Sequence, residues 1–178
     1  MYARDSPGGP VASLWRQGLL REKSQKPADS LREPKAVTKT ELFQEYASYH
    51  ADRRNRTCHA FGIPLIVLGI MGLAHLVRLG PVDLAAVAAI AVLIYYAAID
   101  LRGALISAVV FALLYLIAIR LAWQVNLAAF ILGWGFQFLG HKLEGTKPKF
   151  TENLVYLLIG PLYFFQEVLG VVRPKPVA

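Results

Sequence analysis

The chain has 178 residues, enough for one compact domain, and its 56% apolar and 17% charged content lies outside the usual range of soluble domains, on the membrane side. The net charge of +7 does not call for nucleic acid: eleven of the nineteen Lys and Arg precede residue 61, just ahead of the first apolar run, where the positive-inside rule expects them, and no folded basic face with aromatic or helical readers is visible. One cysteine, Cys58, excludes an intrachain disulfide, and the first forty residues hold no apolar core of the length a cleavable signal peptide needs.

Residues 1–37 read as a disordered basic tail, with Ser6-Pro7-Gly8-Gly9-Pro10, Lys26-Pro27 and Glu33-Pro34 among scattered charges. Thr38 followed by Glu41 matches a capping box. Leu42, Phe43, Tyr46 and Tyr49 then recur at helical spacing, which predicts an amphipathic helix at the membrane surface. Four apolar runs follow, at 61–79, 84–99, 103–119 and 121–139, each near the ~20 residues of a spanning helix. Their continuity argues against a transmembrane barrel, which would alternate. A last run, 154–172, carries Gly160-Pro161 in its middle; the proline predicts two half-helices, re-entrant or interfacial, with a kinked fifth span as the alternative. Residues 173–178 form a short tail, so 38–172 is the predicted membrane catalytic domain. The fold class is therefore all-α: a polytopic membrane bundle of four spans, an N-terminal amphipathic helix and a Gly-Pro-broken C-terminal hairpin.

Parity orients this bundle. With the basic N-terminus cytoplasmic, four spans return the chain to the cytoplasmic side at Gly140. Loops on that side carry Arg102, Lys142, Lys147 and Lys149, against Arg78 and Arg120 on the other. The residues before Phe61 and after Leu139 then share a face. That face receives His50, His59 and His141, whereas His75 lies sixteen residues beyond His59, ~24 Å along a helix, and is excluded. Gln137, His141 and Glu144 are spaced i, i+4, i+7 on one helical face, with Asn126 on the same stripe. Ala129, Gly133 and Gly140 line its edge, small enough to admit a close neighbour.

Histidine is the commonest metal ligand, and two or three histidines with a carboxylate and open positions suit iron used with oxygen. Each histidine alone is more readily read as a polar anchor at the membrane interface; three converging with Glu144 bring a functional site level with that reading. Helix geometry adds a condition. His50 and His59 are nine residues apart, pointing oppositely and ~13 Å apart on a straight helix, so a shared metal requires a break between Ala51 and Cys58. Asn55 and His59, at i, i+4, face the same way. Cys58 is read as a small apolar helix residue rather than a nucleophile. The cluster of Arg53, Arg54, Arg56, Lys142, Lys147 and Lys149 is read mainly as positive-inside charge.

Two segments carry a resemblance. YASYHADRRNRTCHAFGIP (46–64) and GWGFQFLGHKLEGTKP (133–148), with the closing GPLYFFQEVLG (160–170), resemble the signatures of the membrane-bound 2-hydroxy fatty acid dioxygenases known from fungal conversion of phytosphingosine to odd-numbered fatty acids. The resemblance covers about residues 41–170. It implies an Fe(II)-dependent enzyme that uses molecular oxygen to shorten long-chain 2-hydroxy fatty acids by one carbon in a lipid bilayer. By motif it implies iron ligands at His50, His59 and His141 and catalytic-site residues at Asn55, Gln137 and Glu144. Lys149 departs from the alanine the family tends to have after the proline. The rival readings are a non-catalytic lipid-binding or scaffold protein and a di-iron desaturase or hydroxylase; the latter resemble eight-histidine clusters, and four histidines are too few. The expected location is a multi-pass membrane protein with a cytoplasmic site, in a bacterial inner membrane or the endoplasmic reticulum. Homo-oligomerisation is left open.

Overall fold

The computed structural model describes residues 38–151 and 153–171; the two predicted tails, 1–37 and 173–178, lie outside them. Six α-helices make up nearly all of this region. Helix α1 (Lys39–Ser48) opens with the predicted capping box: Thr38 N–H donates to Glu41 at 2.8 Å, and Glu41 N–H donates to Thr38 Oγ1 at 3.3 Å. Its buried residues, Phe43 and Tyr46, both pack on the Tyr163 ring, at centroid separations of 5.3 and 5.0 Å.

The chain then breaks. Helix α1 stops at Ser48 and α2 (Arg53–Ala74) starts at Arg53, with Asp52 as its N-cap, Oδ1 accepting from Arg54 N–H at 2.7 Å. The break demanded by His50 and His59 thus exists but spans Tyr49–Asp52, at the early edge of the expected window. Asp52 satisfies an orphan N–H of the first turn, and the helix begins there. The first apolar run is corrected at both ends. α2 begins eight residues before Phe61, which puts His59 inside the helix, and it stops at Ala74.

Residues 78–83 are a hairpin that composition alone presented as a polar break. Arg78–Leu79 (β1) pairs with Val82–Asp83 (β2), register Arg78 with Asp83. Gly80 supplies φ 70° at the first turn position and Pro81 the fixed φ of the second, the residue types such a two-residue turn requires. Asp83 then caps α3 (Leu84–Ile99), accepting from Ala86 N–H at 2.9 Å. Helices α4 (Leu101–Ala118) and α5 (Trp123–Glu144) follow. Gly145, at φ 77°, ends α5 in the left-handed conformation.

By length and composition, α2 and α4 can cross a membrane, while α3 is a shorter apolar helix. On α4, Leu105, Val109, Leu113 and Leu116 are each more than half exposed along one outer face. A row of exposed leucines is costly in water and natural against lipid.

Helix α5 packs most closely on α2. The glycines explain how near they come. A methyl added at Gly133 would meet Gly62 O at 2.8 Å and Ile66 Cγ1 at 2.7 Å, and one at Gly69 would meet Asn126 O at 2.6 Å. Asn126, on the polar stripe, is buried here and donates to Ala118 O at 3.0 Å, far down α5 from His141.

The C-terminal hairpin expectation is overturned. Val155–Val168 is one continuous helix, α6, with Pro161 inside it. Gly160 lacks the Cβ whose clash with the proline ring disfavours helix at the preceding residue. Burial of Ile159, Leu162, Tyr163, Phe164 and Phe165 outweighs the one lost backbone bond.

Candidate metal centre

Three elements deliver the three histidines: the α1–α2 connection carries His50, the second turn of α2 carries His59, and the last turn of α5 carries His141. All three are buried, at 5%, 4% and 4% exposure, and each offers a ring nitrogen within 4.8 Å of the others. The His50 and His59 Nε2 atoms are 3.0 Å apart.

Their tautomers follow from their partners. His50 Nδ1 lies 2.8 Å from Tyr46 O, and His59 Nδ1 lies 3.0 Å from Asn55 O. A carbonyl only accepts, so both Nδ1 atoms carry the proton and both Nε2 atoms present lone pairs. Burial pushes the His50 imidazole down to about 4, so it is neutral at ordinary pH. Two lone pairs facing each other at 3.0 Å repel, and a cation between them removes that repulsion. Two nitrogens bound at ~2.1 Å and about a right angle would stand about this far apart. The donor set therefore fits a divalent transition metal, with backbone carbonyls orienting the rings as they do around protein-bound metals. Tyr46 also stacks on His50, ring centroids 4.1 Å apart.

Glu144 does not touch a histidine ring. Oε1 accepts Asp52 N–H at 2.8 Å; Oε2 accepts from Asn55 Nδ2 and, at 3.3 Å, from Thr146 Oγ1. Thr146, having donated to Glu144, accepts from His141 Nδ1 at 3.1 Å. The carboxylate thus ties α5 to the start of α2 and reaches His141 through one hydroxyl. Asn55, fully buried, serves both this carboxylate and, through its own carbonyl, His59. Gln137 lies one turn before His141 on the cavity wall, and its buried Nε2 has no hydrogen-bond partner among the described residues.

Span parity, helical spacing and the family resemblance together pointed to all six of these residues. They missed Asp52, Thr146 and Tyr46. Thr146 acts across a helix terminus and Asp52 through its backbone N–H, neither of which leaves a periodic signal. Lys149 sits at the same end of the molecule, 3.1 Å from Glu45 Oε1 and 3.1 Å from Tyr49 OH. Cys58 is buried against α5, its Cβ near Gly140, as its apolar reading expects. His75 belongs to a separate cluster, its Nδ1 2.6 Å from Asp83 Oδ2.

A long apolar cavity leads away from the histidines. One stripe of α2 lines it through Ile63, Ile66, Val67, Ile70, Met71 and Ala74; Ala85, Ala88, Ala89 and Val92 of α3 face that stripe. Ile70, Ala88, Leu157 and Leu158 are also exposed on the outer surface, so the cavity opens through the side of the bundle. The arrangement is a polar, metal-suited end joined to an apolar channel, the shape of an amphiphile with a short polar head.

Comparison with known proteins agrees with this shape. The family described as "2-hydroxy-palmitic acid dioxygenase Mpo1-like" matches residues 37–172. The chain is 31% identical over 125 residues to the 2-hydroxy-palmitic acid dioxygenase MPO1 of Saccharomyces cerevisiae, covering 67% of this chain and 72% of that protein. No solved structure matches. With three-quarters of its length inside the family match and its two signature segments forming one buried histidine cluster, the chain belongs to the Mpo1-like 2-hydroxy-palmitic acid dioxygenase family.

Proposed function

We propose that this protein is an Fe(II)-dependent dioxygenase of the membrane that converts long-chain 2-hydroxy fatty acids to the fatty acid one carbon shorter. The observation that carries the reading is the pair of converging Nε2 lone pairs of His50 and His59, with His141 beside them, at the head of an apolar channel. The reaction balances as one 2-hydroxy acid and one O2 giving the shortened acid, CO2 and water.

His50, His59 and His141 would hold the iron. Bound iron would supply a Lewis-acidic centre for the hydroxyl and carboxylate oxygens and the redox chemistry with O2. Asn55, Thr146 and Glu144 keep the ligand rings in the tautomer that presents Nε2. Gln137 Nε2, an unmatched donor on the cavity wall, offers a hydrogen bond to a substrate oxygen. The apolar channel holds the acyl chain and keeps bulk water from the reacting carbons.

In this reading α2 to α5 are the four spans, α1 lies at the membrane surface, and the histidine end faces the cytoplasm. The positive-inside bias and the leucine face of α4 support it. The side opening then faces acyl chains, and substrate enters from the bilayer.

The test is anaerobic purification, loading with Fe(II), and incubation with 2-hydroxypalmitate and oxygen, with detection of the fifteen-carbon acid. Iron-loaded protein that makes none defeats the assignment. A lipid-binding role without catalysis would need the apolar channel but not the histidines, and predicts that His141→Ala is silent in any lipid-handling assay.

A further inference from the structure

Along the helix axes the channel lining has a built end. Its α2 stripe runs from His59 to Ala74, fifteen residues, or about 22 Å of helix. An extended hydrocarbon advances ~1.3 Å per carbon at ordinary bond lengths, so this distance accommodates on the order of 16 to 18 carbons. The lining stops at Ala74 on α2 and Ala85 on α3, both small and the latter 3% exposed.

Directly behind these two methyls stands a hydrogen-bonded polar cluster. His75, next to Ala74, contacts Asp83 Oδ2 at 2.6 Å; Tyr115 OH donates to the same oxygen at 2.6 Å; Ala86 N–H donates to Oδ1 at 2.9 Å. Arg78 Nη1 lies 3.6 Å from the carboxylate. The cluster ties the ends of α2, α3 and α4 together, and none of its side chains lines the channel. A chain running straight on past this point would have to push apart alanines backed by a buried, fully engaged carboxylate.

We propose that Ala74 and Ala85, braced by the His75–Asp83–Tyr115 cluster, form the floor of the acyl channel and set the upper limit on substrate chain length. This rests on the reaction proposed above. The occupant is the hydrocarbon tail of a 2-hydroxy acid of about 16 to 18 carbons, its head at the histidines and its methyl end at the floor.

The experiment is a ladder of saturated 2-hydroxy acids from 10 to 24 carbons, given to the iron-loaded full chain and to Ala85→Leu and Ala74→Leu. Each leucine adds three carbon atoms to the floor. Wild type should turn over acids up to about 18 carbons and drop at least tenfold beyond them. Each variant should move that limit down by about two carbons while retaining iron, lowering turnover of the longest accepted acids relative to the shorter ones at least tenfold. The same ladder is read in parallel as displacement of a fluorescent fatty acid, which needs no turnover. If wild type turns over no member yet displacement shows the length limit and its shift, the floor stands and the reaction falls. If both variants keep the wild-type profile in displacement and turnover, or weaken every length in proportion while retaining iron, the floor is wrong.

Discussion

Replacing Glu144 with Gln separates two roles that sequence spacing could not. The carboxylate accepts from Asp52 N–H, Asn55 Nδ2 and Thr146 Oγ1. An amide has one accepting oxygen, so at least one of these donors then faces an NH2 group. Hydrogen bonds to a charged group are worth ~1.5–3 kcal/mol each, and Glu144 is only half-buried, which favours the low end; the net loss is about 2 kcal/mol. That corresponds to roughly a thirtyfold change in an equilibrium. Because Thr146 and Asn55 orient His141 and His59, the loss should fall on metal affinity, within the ~10–100-fold that displacing such supporting partners costs. The assay is anaerobic Fe(II) titration against a competing chelator, alongside formation of the fifteen-carbon acid. Glu144→Gln should bind iron ten- to a hundredfold more weakly and regain turnover at high iron. Unchanged iron affinity with abolished turnover would refute this reasoning and make Glu144 a proton-transfer group.

Alanine at His50, His59 or His141 should each remove nearly all stoichiometric iron while leaving the helical circular dichroism spectrum unchanged; iron retained by any one of them removes that residue from the ligand set. Gly133→Ala places a methyl 2.7 Å from Ile66 Cγ1 and 2.8 Å from Gly62 O, overpacking that costs about 1–3 kcal/mol; it should lower thermal stability and, by moving α5 from α2, iron affinity as well. Burial raises Asp83, but hydrogen bonds from Tyr115, Ala86 N–H and His75 outweigh it and hold its carboxyl down to about 2. Its stabilising contribution is therefore present above the ordinary carboxylate range, near pH 4, and is lost as pH falls through 2. Asp83→Asn should melt lower than wild type at neutral pH, and the gap should narrow between about pH 4 and pH 2; a gap independent of pH would contradict the carboxylate's role.

How much of this was readable depends on the range over which each signal acts. The Thr38–Glu41 box and the Gln137–His141–Glu144 stripe are local, three to seven residues long, and both stand as spacing predicted. Span parity brought His50, His59 and His141 to one end, and the requirement for a break between the first two came from helix geometry alone. Gly160-Pro161 misled because a proline's penalty is local while its compensation is not: Leu162, Tyr163 and Phe165 pack against other helices, and no periodicity in 154–172 reports that. The 78–83 hairpin was hidden because a glycine–proline pair reads equally as a break and as a turn. Asp52 and Thr146 contribute through a backbone N–H and a relayed hydroxyl, contacts that exist only once α5 lies against α2.

The tie between Asp52 and Glu144 joins residues 92 positions apart and is one of the contacts that bring α5 to the histidine end. A chain emerging from the ribosome therefore carries a half-made site through two intervening apolar helices, α3 and α4. Until α5 docks, Asn55 lacks Glu144 and the His50–His59 pair lacks His141. Arrival of α5 is the step that brings His141 to His50 and His59, so on the proposed reading metal capture would itself report completed assembly.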